Sequence, residues 1–225
     1  MGRNKKLEIP TDQHVFVAGR TGSGKSFLTQ TYLAGYDYVV ALDIKGNLSW
    51  PAVPGTIWNE KTGELLEAGK NLTLVTRLAD IPKAKTNKIV YRPDWDEINF
   101  DTINQFFEWI YNRQNCIVWV DEVMGEAVCA NPYRIPPYYK AILTRGRSRN
   151  TAAWSVSQRP SGIHPIVMSE ASHYFMFALN LSTDRSKVAN ITGYNEFETN
   201  PPKFGFWYLN ITQDDAIPKL ARLKR

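Results

Sequence analysis

The octet Gly19-Arg20-Thr21-Gly22-Ser23-Gly24-Lys25-Ser26 follows the apolar run HVFVA and leads into FLTQTYLAGY, a segment with helical spacing. It satisfies GxxxxGK[ST], and its flanks are those the pattern requires: a strand before it and a helix after it. Three glycines let the backbone curl so that successive N–H groups converge on phosphate oxygens, and the positive end of the following helix reinforces them. Lys25 is placed to reach the β- and γ-phosphates of ATP, and the Ser26 hydroxyl to ligate Mg²⁺. Phe27 is the next residue along the cradle.

Such a loop needs a carboxylate to hold the water shell of the magnesium, at the end of a buried strand expected to neighbour the first. Ile117-Val118-Trp119-Val120-Asp121-Glu122 supplies it. Asp121 is the expected partner of the metal, and Glu122 directly after it is the natural base for an attacking water. A glycine-rich turn with a stray lysine, or a solvated acidic turn, would each be ordinary alone. Their co-occurrence points to hydrolysis by water rather than transfer to a small acceptor.

The elements that hold these groups are legible as patterns. Apolar, β-branched runs at 14–18, 37–43, 72–76, 88–92, 116–120, 151–157, 172–179 and 204–211 read as strands. Helical spacing covers 24–34, 99–113, 135–146 and 183–192, the last behind a Ser182 or Thr183 cap. The alternation implies βαβ units and a mainly parallel α/β sheet. VVALD and CIVWVDE are apolar throughout, as strands are when helices cover both faces. KFGFWYLNI alternates in part and reads as an edge strand or hairpin. The expected organisation is one domain over 1–225, with an N-terminal extension (1–12), a core (13–193), and a C-terminal edge strand with a basic tail (194–225).

With 225 residues, 43% of them apolar, the chain can bury a large core. Its longest apolar runs fall far short of the roughly 20 residues that span a bilayer. No apolar stretch follows the basic start, as a secretory signal would require. Cys116 and Cys129 form neither a disulfide framework nor a metal site, and His14, His164 and His173 are isolated. Trp109 and Trp119 are assigned to core packing. A cytoplasmic protein without a membrane partner is expected. The net charge of +5, concentrated at 3–6, 83–88, 145–149 and 219–225, is compatible with an anionic partner, but charge alone favours a solvated face that keeps the protein soluble.

The segment ILTRGRSRNTAAWSVSQRPSGIHPIVMSEASHYFMFALNLSTDRSK (142–187) resembles the HerA–FtsK superfamily of DNA-pumping ATPases. A helix carrying arginines, a strand ending in SQRP, a further strand and a DRSK patch come in the family's order. Asp43-Ile44-Lys45-Gly46 resembles its aspartate-x-lysine-glycine turn, so the likeness covers about 15–193. In lacking membrane, hinge or winged-helix additions, the chain is most similar to the compact viral members that package genomes into preformed capsids. The resemblance implies a P-loop NTPase of the RecA-like type, with an additional strand and a catalytic glutamate, that couples ATP hydrolysis to DNA translocation.

The same resemblance puts Gln158 at the polar sensor ending the strand beside that of Asp121. It puts Arg147 at the arginine finger that completes a neighbouring subunit's site. Arg145 and Arg149 are rivals: on a helix they share a face while Arg147 points elsewhere, so at most one register can feed the neighbour. A finger in trans implies a homo-oligomeric ring, pentamer or hexamer, docked at a capsid or portal vertex in the host cytoplasm.

A motor that accepts every sequence should grip DNA phosphates through Lys and Arg. The stretch 83–88 and the loop 124–137 around Arg134 are candidates, and each reads equally well as an ordinary connection. Rival functions are a phage extrusion or conjugative coupling ATPase, which normally brings a membrane anchor, and a small-molecule kinase, which wants an arginine-rich lid. A nonenzymatic assembly partner is a third, against which Lys25, Asp121 and Glu122 weigh.

Overall fold

The apolar runs assemble into one sheet in the computed structural model, which describes residues 9–48, 56–59, 64–67, 72–125 and 127–223. The basic residues at 3–6 and 224–225, and Glu126 of the loop 124–137, lie outside the described residues. Along the chain come β1 (Val15–Ala18), α1 (Lys25–Leu33), β2 (Val39–Leu42), β3 (Thr56–Asn59), β4 (Glu64–Glu67), β5 (Leu72–Val75), β6 (Lys88–Tyr91) and α2 (Phe100–Arg113). There follow β7 (Cys116–Val120), α3 (Pro137–Arg145), β8 (Thr151–Ser157), α4 (Ile166–Ser169), β9 (His173–Met176), α5 (Ser182–Thr192), β10 (Gly205–Asn210) and β11 (Lys219–Arg222).

The strand order is β11-β10-β9-β1-β8-β7-β2-β6-β5. From β9 to β5 every pairing is parallel, and β10 and β11 add antiparallel at one side. Side chains alternate between two cores, as strand geometry dictates. Val15, Val17, Ile117 and Trp119 face α1 through Leu28 and Leu33. Phe16, Ala18, Val118 and Val120 face α2 to α5 through residues such as Phe106, Phe107, Ile142 and Val188. Helices therefore cover both faces. Trp119 is fully buried and Trp109 packs against the second core. Among the described residues no helix is long and apolar enough to cross a membrane.

The parallel register sets where the chemically capable residues emerge. Ala18 pairs with Ser157 and Met176, and Leu42 with Val120 and Tyr91. The strands thus end together, and the residues just beyond them gather along one rim of the sheet, where open α/β sheets place their ligands.

Three expectations need correcting. The strand carrying Asp121 does not neighbour β1, because β8 lies between them; adjacency in space is decided by crossovers that no local pattern encodes. KFGFWYLNI takes the hairpin form of the two expected for it and not the edge form: β10 pairs antiparallel with β11, the strand KLAR from the basic tail, which is the edge, and with β9 on its other side. Four residues, two of them charged, give too short and polar a run to read as a strand, although charge on an edge is what discourages further pairing. Ser182 and Thr183 lie inside α5, whose cap is Leu181 without a side-chain bond. The hairpin β3–β4 was not anticipated from the pattern.

Two histidines sit in the sheet at the rim opposite these strand ends. His14 Nδ1 accepts from the Ala153 amide at 2.9 Å, and His173 lies between Tyr208 Oη (2.9 Å) and Gln13 Oε1 (2.6 Å). Burial pushes both down to about 4. An unfolded histidine takes its proton near 6.5, so the stability these neutral rings contribute is complete above that value and is lost as pH falls from 6.5 through 4. The loss is on the order of 3 kcal/mol for each. Urea unfolding at pH 7 and pH 4.5 should show a larger drop for the wild type than for a His14→Gln/His173→Gln variant. Equal drops would contradict this assignment.

Candidate active site

The loop between β1 and α1 begins where the Gly19 amide donates to Ser157 O (3.2 Å) and the Arg20 amide to Ala178 O (2.8 Å). Gly22 (φ 74°) and Gly24 (φ 110°) adopt the left-handed backbone that turns amides inward and that side chains resist. Gly24 caps α1 without a side-chain hydrogen bond, and the first turn carries no acid. The helix terminus is left with donors and no internal anion. Ser23 Oγ is covered and has no hydrogen-bond partner among the described residues.

Lys25 is buried, its Nζ donating to Arg20 O at 3.0 Å. Loss of water pulls its ammonium down to about 8, an effect partly offset by Glu122 and Asp121. Beside it stand Glu122 and Asp121, with Asp43 next to Asp121. Asp43 is fully buried and satisfied: Arg92 Nε reaches Oδ2 at 2.9 Å, and the amides of Asn47 and Leu48 donate at 3.2 and 3.1 Å. This closes the turn 43–46 and sends Lys45 toward Glu122, where Nζ meets Oε2 at 2.9 Å. Glu122 Oε1 accepts from the Met124 and Gln158 amides, both at 3.3 Å.

Asp121 is treated differently. Its Oδ1 is covered and has no hydrogen-bond partner among the described residues. Burial, with Asp43 and Glu122 adding to it, pushes the carboxyl up to about 6 despite Lys45 and Lys25. An oxygen left without a donor beside a phosphate-type loop suits a hydrated divalent cation, and Ser26 is exposed at the same loop to share it.

Gln158 links the two halves. Its Oε1 accepts from Thr21 Oγ1 at 2.7 Å while its amide donates to Glu122. The SQRP turn is held by Asp184, which accepts from Arg159 Nε (3.2 Å), the Ser161 amide (2.9 Å) and Ser161 Oγ (2.7 Å). Two members of this arrangement were assigned no role from sequence: Lys45, visible there only as part of a turn, and Arg92, which follows a strand without any motif of its own.

The arginines are elsewhere. β8 starts at Thr151 and delivers Gln158 at its far end, so Arg145, Arg147 and Arg149 lie about 20 Å from the loop at the opposite rim. None can reach the loop of its own chain. Arg147 is 83% exposed, with Asp12 at 3.6 Å. Arg149 stacks on Tyr111 at 3.9 Å and donates to its carbonyl. The helical-face argument that separated the three fails, because α3 ends at Arg145 and a 3₁₀ turn covers Arg147–Arg149. Of the DNA candidates, the stretch 83–88 precedes β6 at this far rim, with Lys83 paired to Asp80 at 2.8 Å. The loop 124–137 follows β7 at the site's rim, with Arg134 stacked on Phe100 and Tyr133 91% exposed.

No model of a known protein family matches the chain. A curated relative, DNA packaging ATPase P9 of Enterobacteria phage PRD1, is 27% identical over 186 residues, 81% of this chain and 71% of that protein. Solved structures of the genome packaging NTPase B204 from Sulfolobus turreted icosahedral virus 2 superpose along nearly their whole length. The sulfate complex has a TM-score of 0.67 at 18% identity, covering 95% of this chain and 98% of B204; the AMPPCP complex scores 0.65 at 17%. The fold is that of a viral genome-packaging NTPase. EssC ATPases 2 and 3 from Geobacillus thermodenitrificans share it more distantly, with a TM-score of 0.51 over 40% of that chain. The genome-packaging fold is the one the stretch 142–187 resembles, reached here through backbone geometry rather than motif.

The covered Asp121 Oδ1, without a hydrogen-bond partner among the described residues, costs the nucleotide-free protein stability. Asp121→Asn keeps the shape and removes the buried charge, and should raise the unfolding free energy by about 1–3 kcal/mol without nucleotide, measured by urea unfolding. A fall in stability would mean that Asp121 has a partner that its surroundings do not reveal.

Proposed function

We propose that this chain is the ATP-hydrolysing subunit of a viral genome-packaging motor. The observation that carries the reading is the convergence at one rim of a phosphate cradle with Lys25, a carboxylate pair at Asp121 and Glu122, and Gln158 bridging the two. Its support is the likeness to DNA packaging ATPase P9, 27% identical over 81% of this chain.

In this reading the amides of 19–24 and the start of α1 hold the phosphates, and Lys25 lies against the β- and γ-phosphate oxygens. Ser26 and Asp121 would hold Mg²⁺, which supplies charge neutralisation at those oxygens when bound. Glu122 takes the proton of the attacking water, and Lys45 fixes where that carboxylate stands. Gln158, tied to Thr21 and Glu122, registers whether the γ-phosphate is present. Charge developing on the leaving phosphoryl group is met by Arg147 of an adjacent subunit, with Arg145 and Arg149 as its alternatives, since none of the three reaches the site of its own chain. That requirement makes the working form a ring of five or six copies, seated at a capsid vertex in the host cytoplasm. DNA is gripped by its phosphates, without reading sequence.

The test is displacement of a third strand from duplex DNA. The wild type should displace it when ATP is supplied. Glu122→Gln should still bind ATP within a few-fold yet lose turnover by about 10²–10⁴ and displace nothing. Displacement that is independent of ATP, or unchanged hydrolysis by Glu122→Gln, would overturn the mechanism.

A further inference from the structure

On the side of the loop away from the acidic cluster, the chain returns from 201–204 into β10 through an unusual residue. Phe204 has φ 62°, a left-handed conformation that an aromatic side chain adopts only where its surroundings hold it. Its carbonyl accepts from the Leu223 amide at 3.0 Å, tying the end of β11 to this corner. Leu223 in turn lies so close to the nucleotide loop that a Cβ on Gly24 would collide with its methyl group. The C-terminal hairpin is thus laid against the phosphate cradle.

Between them is a cavity of about 440 Å³ lined by Gly24, Phe27, Phe204 and Leu223. Its size falls within the ~300–1,000 Å³ of small-molecule sites, and the side chains lining it are apolar. Phe27 stands on the first turn of α1, half exposed. A phenyl ring in water beside a phosphate cradle gains nothing from its own fold. It gains where a flat apolar ligand covers it. A nucleoside triphosphate bound along 19–26 presents its α-phosphate toward this first turn, so ribose and base continue past Phe27.

We propose that Phe27 and Phe204, closed off by Leu223, form the nucleobase subsite, and that it takes a purine by its faces. This deepens the reading of 19–26 as a nucleotide cradle and rests on it. Stacking uses the π-face that every base has, whereas telling adenine from guanine needs polar groups at the ring edge. Among the described residues the side chains lining the cavity are apolar, so ATP and GTP are held alike. The C-terminal hairpin thereby becomes part of the nucleotide site.

The experiment is calorimetric titration of the full chain, with Mg²⁺, using ATP, GTP and tripolyphosphate. Phe27 is on the surface of α1, so Phe27→Ala leaves the core intact; Phe204→Ala is the companion variant. Each should weaken ATP and GTP together by roughly fivefold to a hundredfold and leave tripolyphosphate unchanged, while Phe27→Trp keeps the affinity. Unchanged ATP affinity in both alanine variants, a parallel loss for tripolyphosphate, or wild-type binding of tripolyphosphate as tight as ATP would overturn the subsite. A more than tenfold preference for ATP over GTP would overturn reading by faces. If the wild type bound neither ATP nor tripolyphosphate, the phosphate cradle itself would fall and the inference with it.

Discussion

Three carboxylates, Asp43, Asp121 and Glu122, stand at the ends of two adjacent parallel strands, and their mutual repulsion is what the rest of the site must answer. The paired register of Leu42 and Val120 makes the crowding unavoidable. Arg92 answers Asp43 from β6, and Lys45 answers Glu122 from the turn that Asp43 itself closes. Asp121 keeps a covered Oδ1 with no hydrogen-bond partner among the described residues, and Lys25 nearby is a cation stripped of much of its water. Both departures raise the energy of the nucleotide-free protein, and both are the kind a bound cation and phosphate chain relieve. The cost is carried by a nine-stranded sheet with cores on both faces. Ligand binding then registers as stabilisation of the folded state.

Much of this was legible in the sequence because the groups that do the chemistry are tied to local backbone form. A loop that must curl around phosphates needs glycine at fixed places, so 19–26 announces itself; a strand buried on both faces reads as CIVWV, and its end marks Asp121 and Glu122. What was not legible depends on distance in space. That β8 separates β1 from β7 follows from crossovers whose chain segments carry no mark of it. Arg92 and Lys45 became meaningful only when the register set them beside Asp43 and Glu122. β11 stayed hidden because an edge strand needs few apolar residues, and with it the closeness of Leu223 to Gly24.

The two rims of the sheet divide the labour. The carboxyl ends of the strands hold the loop 19–26, Asp121, Glu122 and Gln158, and the opposite rim holds Arg145, Arg147, Arg149, the stretch 83–88 and the buried histidines. A chain built this way keeps the turn carrying Arg145, Arg147 and Arg149 out of reach of its own loop 19–26. In the proposed motor, completion of a site by a neighbour is what makes hydrolysis depend on assembly, and an isolated subunit turns over slowly for the same reason.

The measurement that tests the central claim most directly is steady-state ATP hydrolysis by the purified chain with and without long duplex DNA, at low and at moderate salt. The account predicts stimulation by DNA that fades as salt rises, because the contacts are to phosphates. Hydrolysis indifferent to DNA, but raised by a nucleoside monophosphate, would contradict it and mark the site as that of a kinase.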